Sequence, residues 1–293
     1  MTEDLRARAI ALYDRFTHDG LDRRAFITRM TALAGSLAAA EALIATIAAS
    51  PAAAAIVPAD DKRLRTFTDH ILGNNGRPLY TAYVAAPRGR AARRATVMVI
   101  HENRGLNDHI RDVARRLALA GYYAYAPDML SPVGSTPTDE DKARTMIGAL
   151  DLGKAVDDAV AMLALLRPRA GGNGRVGVVG FCWGGAFVNR LAVAAGSKLD
   201  AGVAYYGPAP APAEAAKVQA PLMLHYAGLD DRVAATGQPW IAALQAAHKR
   251  VEAFTYPGVD HAFNNDTSAE RFNGPAAALA WQRTLAFFAR TLQ

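Results

Sequence analysis

The 293-residue sequence has one cysteine, Cys182. No intrachain disulfide can form, so cysteine usage says nothing about an oxidising compartment, and any chemistry of this thiol is done without a second cysteine. Metal-ligand spacings are also missing. The seven histidines are scattered, with no H-E-x-x-H or comparable pair, so the sequence implies no metal and no cofactor. His101 and His225 fall at expected strand ends and read as core or rim residues rather than ligands. No long basic stripe interleaved with aromatics is present, which excludes a nucleic-acid face. The local cluster Arg88, Arg90, Arg93 and Arg94 reads as a solvated turn between two strands. No stable membrane span is expected, because Glu41 interrupts an Ala-rich, weakly apolar stretch over residues 30–49. There is no internal repeat, and low complexity is confined to residues 32–55.

What is present is a globular composition, 51% hydrophobic and 20% charged. The length suits one sizeable domain with an appendage. Residues 1–60 hold six Arg against seven Asp/Glu, and the rest of the chain holds 27 Lys/Arg against 20 Asp/Glu, so the positive excess of +6 resides in the body and mildly favours anionic small molecules. The first segment is distinct. Residues 5–16 have a helical apolar pattern, and Asp22-Arg23-Arg24-Ala25-Phe26-Ile27 precedes the Ala-rich run that ends in Ser50-Pro51-Ala52-Ala53-Ala54-Ala55. An Arg pair, an apolar run and Ala-x-Ala sites resemble a twin-arginine export signal, which makes the export machinery a partner and the periplasm a destination. The alternative is a retained helical hairpin on a cytoplasmic protein, since Asp22 stands where Ser or Thr is usual and about twenty residues precede the Arg pair.

From Lys62 to Gln293 the pattern alternates strand and helix. Residues 65–71 and 79–85 read as a hairpin turned by Gly73-Asn74-Asn75-Gly76. Strands are expected at 96–100, 122–126, 176–179, 201–205, 222–226 and 251–256. Helices are expected at 110–120, within 139–166 (one or two), at 184–195 and at 281–291. Repeated β-α units give an α/β class, a mostly parallel central sheet with helices on both faces, plus the N-terminal helical segment.

Gly180-Phe181-Cys182-Trp183-Gly184-Gly185 lies between an expected strand and an expected helix. It is a G-x-nucleophile-x-G elbow with Cys in place of Ser, as in the α/β-hydrolase fold. Small residues on either side let strand and helix approach, and the helix N-terminus favours thiolate. Asp230, in Gly228-Leu229-Asp230-Asp231-Arg232-Val233, and His261, in Pro257-Gly258-Val259-Asp260-His261-Ala262-Phe263, follow later strands in the order nucleophile, acid, base. Asp231 is the rival acid. The strand ending at Ile100 runs into His101-Glu102-Asn103-Arg104-Gly105-Leu106, and this loop donates one oxyanion-hole amide in such folds. The backbones of Asn103 and Trp183 are therefore the candidate donors. Glu102 is expected near the sulfur, where a carboxylate opposes thiolate unless neutralised. Tyr205, Tyr206 and Trp183 are candidates for an apolar acyl pocket.

Taken together, Glu102 after a buried strand, Gly-Phe-Cys-Trp-Gly-Gly, Gly-x-Asp-x-x-Val and Pro-Gly-x-x-His-x-Phe resemble the dienelactone hydrolase family over residues 62–293. The resemblance implies a Cys182, Asp230, His261 triad that cleaves a small ester or lactone through a thioester. It also implies that Glu102 holds the thiol protonated at rest. The family's substrate-gripping Arg four residues after the His is replaced by Asn265. Neutral esters are therefore expected to be turned over at least as well as dienelactone, unless Arg104 or Arg144 supplies the grip. A cysteine-based redox sensor and a catalytically silent binding protein on the same fold are the rival classes. The lack of a resolving cysteine counts against the first, and the complete triad against the second.

Overall fold

The structure is a computed structural model that describes residues 2–18, 20–47, 56–72, 78–89, 94–168 and 171–293. Eight strands form one sheet: β1 (Leu64–Leu72), β2 (Pro78–Pro87), β3 (Arg94–Ile100), β4 (Tyr123–Pro127), β5 (Gly172–Phe181), β6 (Ala201–Tyr205), β7 (Leu222–Ala227) and β8 (Val251–Tyr256). Their order is β1-β2-β4-β3-β5-β6-β7-β8. The expected hairpin strands β1 and β2 are antiparallel, β2 meets β4 antiparallel, and every pair from β4 to β8 is parallel. The strands at the sheet centre, such as Arg94–Ile100 and Ala201–Tyr205, are buried along nearly their whole length. They are covered on both faces, as their unbroken apolar sequence requires.

Helices α4 (Asp108–Leu119) and α9 (Gly274–Thr291) cover one face. Helices α6 (Leu152–Leu166), α7 (Trp183–Ala194) and α8 (Asp231–Ala246) cover the other. The stretch 139–166 holds two helices, α5 (Glu140–Gly148) and α6. Helix α9 starts at Gly274, seven residues before the expected 281, capped by Asn273. Helix α8 does not announce itself in sequence, because Gly237 and Pro239 interrupt its pattern. Burial of Val233, Trp240 and Leu244 overrides those local preferences. The turn at 73–76, and Arg90 and Arg93 of the basic cluster, lie outside the described residues.

The N-terminal segment forms three helices where a hairpin was one expectation: α1 (Glu3–His18), α2 (Arg23–Ala34) and α3 (Leu37–Ile47). They share a core of their own that includes Ile10, Tyr13, Phe16, Phe26, Met30 and Ile47. Phe16 stacks on Phe26 at 4.3 Å. Arg23 and Arg24 open α2, behind an Asp22 cap that accepts from the Ala25 amide. Among the described residues no single helix is long and apolar enough to cross a membrane. The pair α2–α3 passes by length and composition, but is bent by 106°. The body begins to pack at Val57, whose amide donates to Asp112 (2.8 Å) and whose carbonyl accepts from Arg115 (2.7 Å).

Candidate active site

The elbow at the end of β5 puts Cys182 at φ 54°, ψ −115°, directly before α7. A non-glycine residue is held there only when its surroundings over-determine it, and the neighbouring glycines show how. A Cβ on Gly180 would lie 2.1 Å from the Gly184 carbonyl oxygen, and one on Gly184 would lie 2.4 Å from that of Ile100. The Cys182 amide donates to the Tyr205 carbonyl at 3.0 Å, tying the elbow to β6. The thiol is buried, at the positive end of α7, and the first-turn amides there have no acceptor within the helix.

Loops after β7 and β8 bring Asp230 and His261 to this thiol. His261 Nδ1 donates to Asp230 Oδ2 at 2.5 Å, and Asp230 Oδ1 accepts from the Val233 amide at 3.1 Å, capping α8. One carboxylate therefore fixes both the imidazole and the helix that carries it. Asp231, the rival acid, is exposed on the first turn of α8. Burial by itself lowers the His261 pKa, but the Cys182 and Asp230 charges and hydrogen bonds to both raise it to about 10. Asp230 sits below the ordinary carboxylate range, because the attraction of His261 outweighs desolvation. Thiol, imidazole and carboxylate thus stand in sequence, an arrangement able to deliver a sulfur nucleophile and return a proton.

Glu102 stands at the end of β3, 5% exposed. It accepts from the Tyr206 hydroxyl (3.3 Å) and from Asn265 Nδ2 (2.6 Å). Thr267 donates to Asn265 Oδ1 through its amide (3.0 Å) and hydroxyl (2.6 Å), which fixes the amide with its nitrogen toward Glu102. Burial, then the Glu102 and Cys182 charges, push the Tyr206 hydroxyl well above its usual pKa, so it stays a donor. The loop carrying Glu102, Asn103 and Arg104 is pinned from below. Thr136 Oγ1 accepts from the Leu106 amide (2.9 Å) and itself donates to Asp128 (2.8 Å).

The cleft above the thiol is lined by Glu102, Asn103, Arg104, Asn265 and Arg271 around Cys182 and His261, and is roofed by Tyr13 and Thr17 of α1. Its volume is about 20 Å³, room for roughly one water.

Residues 80–292 match the dienelactone hydrolase family. An Escherichia coli protein provisionally named carboxymethylenebutenolidase is 34% identical over 258 residues, 82% of this chain and 93% of its own. This chain belongs to the dienelactone hydrolase family. A Saccharolobus solfataricus protein of the same provisional name is 32% identical over 71% of this chain and 93% of its own. A crystal structure from Klebsiella pneumoniae, provisionally titled a dienelactone hydrolase, superposes with TM-score 0.70 and 29% identity, covering 78% of this chain and 99% of its own. Brefeldin A esterase superposes at TM-score 0.63 with 17% identity, a likeness of fold alone. The fold is the α/β-hydrolase fold, and the protein is a hydrolase.

Within this dienelactone hydrolase frame Cys182, His261, Glu102 and Asn103 line one cleft, Asp230 binds His261, and Trp183 follows Cys182 as the first residue of α7. The structure also revises several sequence expectations. Arg144 does not line the cleft. Its guanidinium lies 4.1 Å over the Phe16 ring, and Nη1 donates to the Phe16 carbonyl (3.1 Å), so α1 holds it. Tyr206 is fully buried with its hydroxyl on Glu102 rather than lining an acyl pocket. Trp183 turns its ring onto His101 (5.5 Å), and Tyr205 is bonded to Thr284 in the core. Asn265 reaches the cleft, but its amide nitrogen is committed to Glu102. His101 and His225 are buried and hydrogen-bonded. Burial lowers the pKa of both, that of His225 to about 3. Three cleft residues, Arg271, Tyr13 and Thr17, and Asp14 beside them had no signal in the sequence. Arg271 lies in a loop without periodicity, and Tyr13, Asp14 and Thr17 look like positions of an ordinary amphipathic helix.

Proposed function

We propose that the protein hydrolyses a small carboxylic ester or lactone, with Cys182 as nucleophile, His261 as general base and acid, and Asp230 as the orienting carboxylate. The observation that carries this reading is the strained Cys182 elbow facing an imidazole whose far nitrogen is held by Asp230 at 2.5 Å. Cys182 Sγ attacks the acyl carbon, and the carbonyl oxygen becomes an oxyanion that accepts from the Trp183 and Asn103 amides. His261 then protonates the departing alkoxide as the C–O bond breaks, leaving a thioester. Water, deprotonated by His261, attacks that thioester and releases the acid and the thiol. Glu102, held by Tyr206 and Asn265, places a second negative charge beside the sulfur. That charge opposes a resting thiolate until substrate shifts the balance. Hydrolysis of a chromogenic ester tests the reading. It should be abolished by alkylation of Cys182, the chain's one cysteine. Full activity after complete alkylation would overturn it.

A further inference from the structure

The mouth of the cleft is filled from within the chain. Tyr13 and Thr17 of α1 close it over Cys182 and leave about 20 Å³, far too little for an ester or lactone. Two buried guanidiniums converge on Tyr13: Arg104 donates from Nη2 to its hydroxyl, and the Arg271 guanidinium lies 5.2 Å from its ring centre. Arg104 and Arg271 are only 9% and 7% exposed. The charge of Arg104 is met within the body by Glu140 at 2.8 Å. Arg271 has Ser268 Oγ at 2.9 Å, and among the described residues the carboxylate in ion-pair range of it is Asp14 of α1, at 3.5 Å. Asp14 is itself desolvated, which raises its pKa against the pull of His261 and Arg271.

The seam between the N-terminal helices and the body is mainly polar. Arg6 pairs with Glu270 (2.9 Å) and Asp260 (3.4 Å), Ser268 donates to the Ile47 carbonyl (2.7 Å), and Asn103 donates to the Thr17 carbonyl (3.3 Å). The apolar side chains of α1–α3 form their own cluster instead of joining the body's cores. A seam of this kind parts without opening an apolar core, and its exposed ion pairs are individually weak. Displacing α1 takes Asp14 from Arg271 and the Tyr13 hydroxyl from Arg104, so whatever displaces it gains by bringing an anion that makes charge-assisted contacts in their place.

We propose that α1 is an internal ligand of the cleft: Tyr13 and Asp14 stand on Arg104 and Arg271 where an anionic group from outside the chain otherwise binds, so the N-terminal helices are an autoinhibitory cap that carboxylate-bearing molecules displace. The inference rests on the hydrolase reading above and adds to it an occupant of the cleft from the chain's own N-terminal helices.

Two alkylating reagents of nearly equal size test it without any turnover. Iodoacetamide and iodoacetate each form an Sγ–CH₂ bond with Cys182 and expel iodide, but only the second carries a carboxylate. Their rates on the full chain are compared with their rates on 2-mercaptoethanol. The iodoacetate-to-iodoacetamide ratio on Cys182 should exceed that of the free thiol by about 10-fold or more, the scale of one charge-assisted contact. Arg271→Gln should bring the ratio down to the free-thiol value. Asp14→Asn and Tyr13→Phe, which keep the helix packed while weakening its hold on the two guanidiniums, should each speed both reagents by about 10-fold on the same scale. A free-thiol ratio in the unmodified protein, or a ratio unchanged by Arg271→Gln, overturns the anion site. Unchanged rates in Asp14→Asn and Tyr13→Phe overturn the cap, including in the case where Arg271→Gln does not fold. None of these readings depends on ester hydrolysis, so the proposed reaction and the proposed cap fail separately.

Discussion

Asp230→Asn separates an acid that orients His261 from one that only caps a helix. The two carboxylate oxygens of Asp230 do different work: Oδ2 accepts from His261 Nδ1 and Oδ1 accepts from the Val233 amide. An Asn cannot do both. With its nitrogen toward His261 it presents a donor to a donor, which turns the imidazole into the wrong tautomer. With its oxygen toward His261 it turns the nitrogen onto the Val233 amide, and the α8 cap is lost at about 1 kcal/mol. In either case the charge that helps raise His261 to about 10 disappears. Triads that lose this carboxylate fall by about 10⁴ in turnover, or about 5.4 kcal/mol of barrier. Asp231→Asn, on the exposed first turn of α8, should change kcat/KM by less than about 3-fold, within the range of surface substitutions. Steady-state hydrolysis of a chromogenic ester by both variants, with thermal unfolding to show that they remain folded, checks the assignment. A folded Asp230→Asn enzyme with near-normal turnover, or a crippled Asp231→Asn enzyme, refutes the reasoning.

Other consequences are as direct. A methyl on Gly184 would sit 2.4 Å and 2.6 Å from the Ile100 and His101 carbonyl oxygens, so Gly184→Ala should destabilise by about 1–3 kcal/mol, read as a lowered Tm, and should move the Asn103 loop enough to impair hydrolysis. The His261 pKa is raised from its ordinary 6.5 to about 10. Its contribution to stability is therefore complete below pH 6.5 and is lost as pH rises through 10. Urea unfolding should show the advantage of the unmodified protein over His261→Gln shrinking across that window, and a gap that widens with pH would contradict the sign. If residues 1–60 are an export signal, N-terminal sequencing of protein from its native host should begin between about residues 53 and 60. A start at Met1 or Thr2 would mean the helices are retained.

The placement of the candidate site was readable in sequence because it depends on residues that little else can replace. A positive-φ nucleophile crowded by two backbones demands Gly180 and Gly184, and separate strands deliver Asp230 and His261 in one order. Helix α8 was obscured for the opposite reason: Gly237 and Pro239 argue locally against it, and only packing of Trp240 and Leu244 decides. Asn265 shows the limit of reading a site by substitution. The loss of a cation there suggested neutral substrates; in the structure that amide serves Glu102, while Arg104 and Arg271 line the cleft from other loops, which no spacing from His261 reveals. Nothing in the periodicity of residues 5–16 distinguishes a helix that closes a cleft from one that lies elsewhere, because the contacts of Tyr13 and Asp14 are made some 90 to 257 positions away in sequence.

The central claim is that Cys182 carries the acyl group. Rapid acid quench of the protein with a slowly hydrolysed ester, followed by mass measurement of the peptide holding Cys182, tests it directly. The account predicts a mass increase equal to the acyl group on that peptide, rising and decaying with turnover, and absent with hydrolysis in Cys182→Ala, whose kcat should fall by about 10³-fold or more. An unlabelled Cys182 peptide during turnover, together with a Cys182→Ala protein that still hydrolyses the ester, would contradict it.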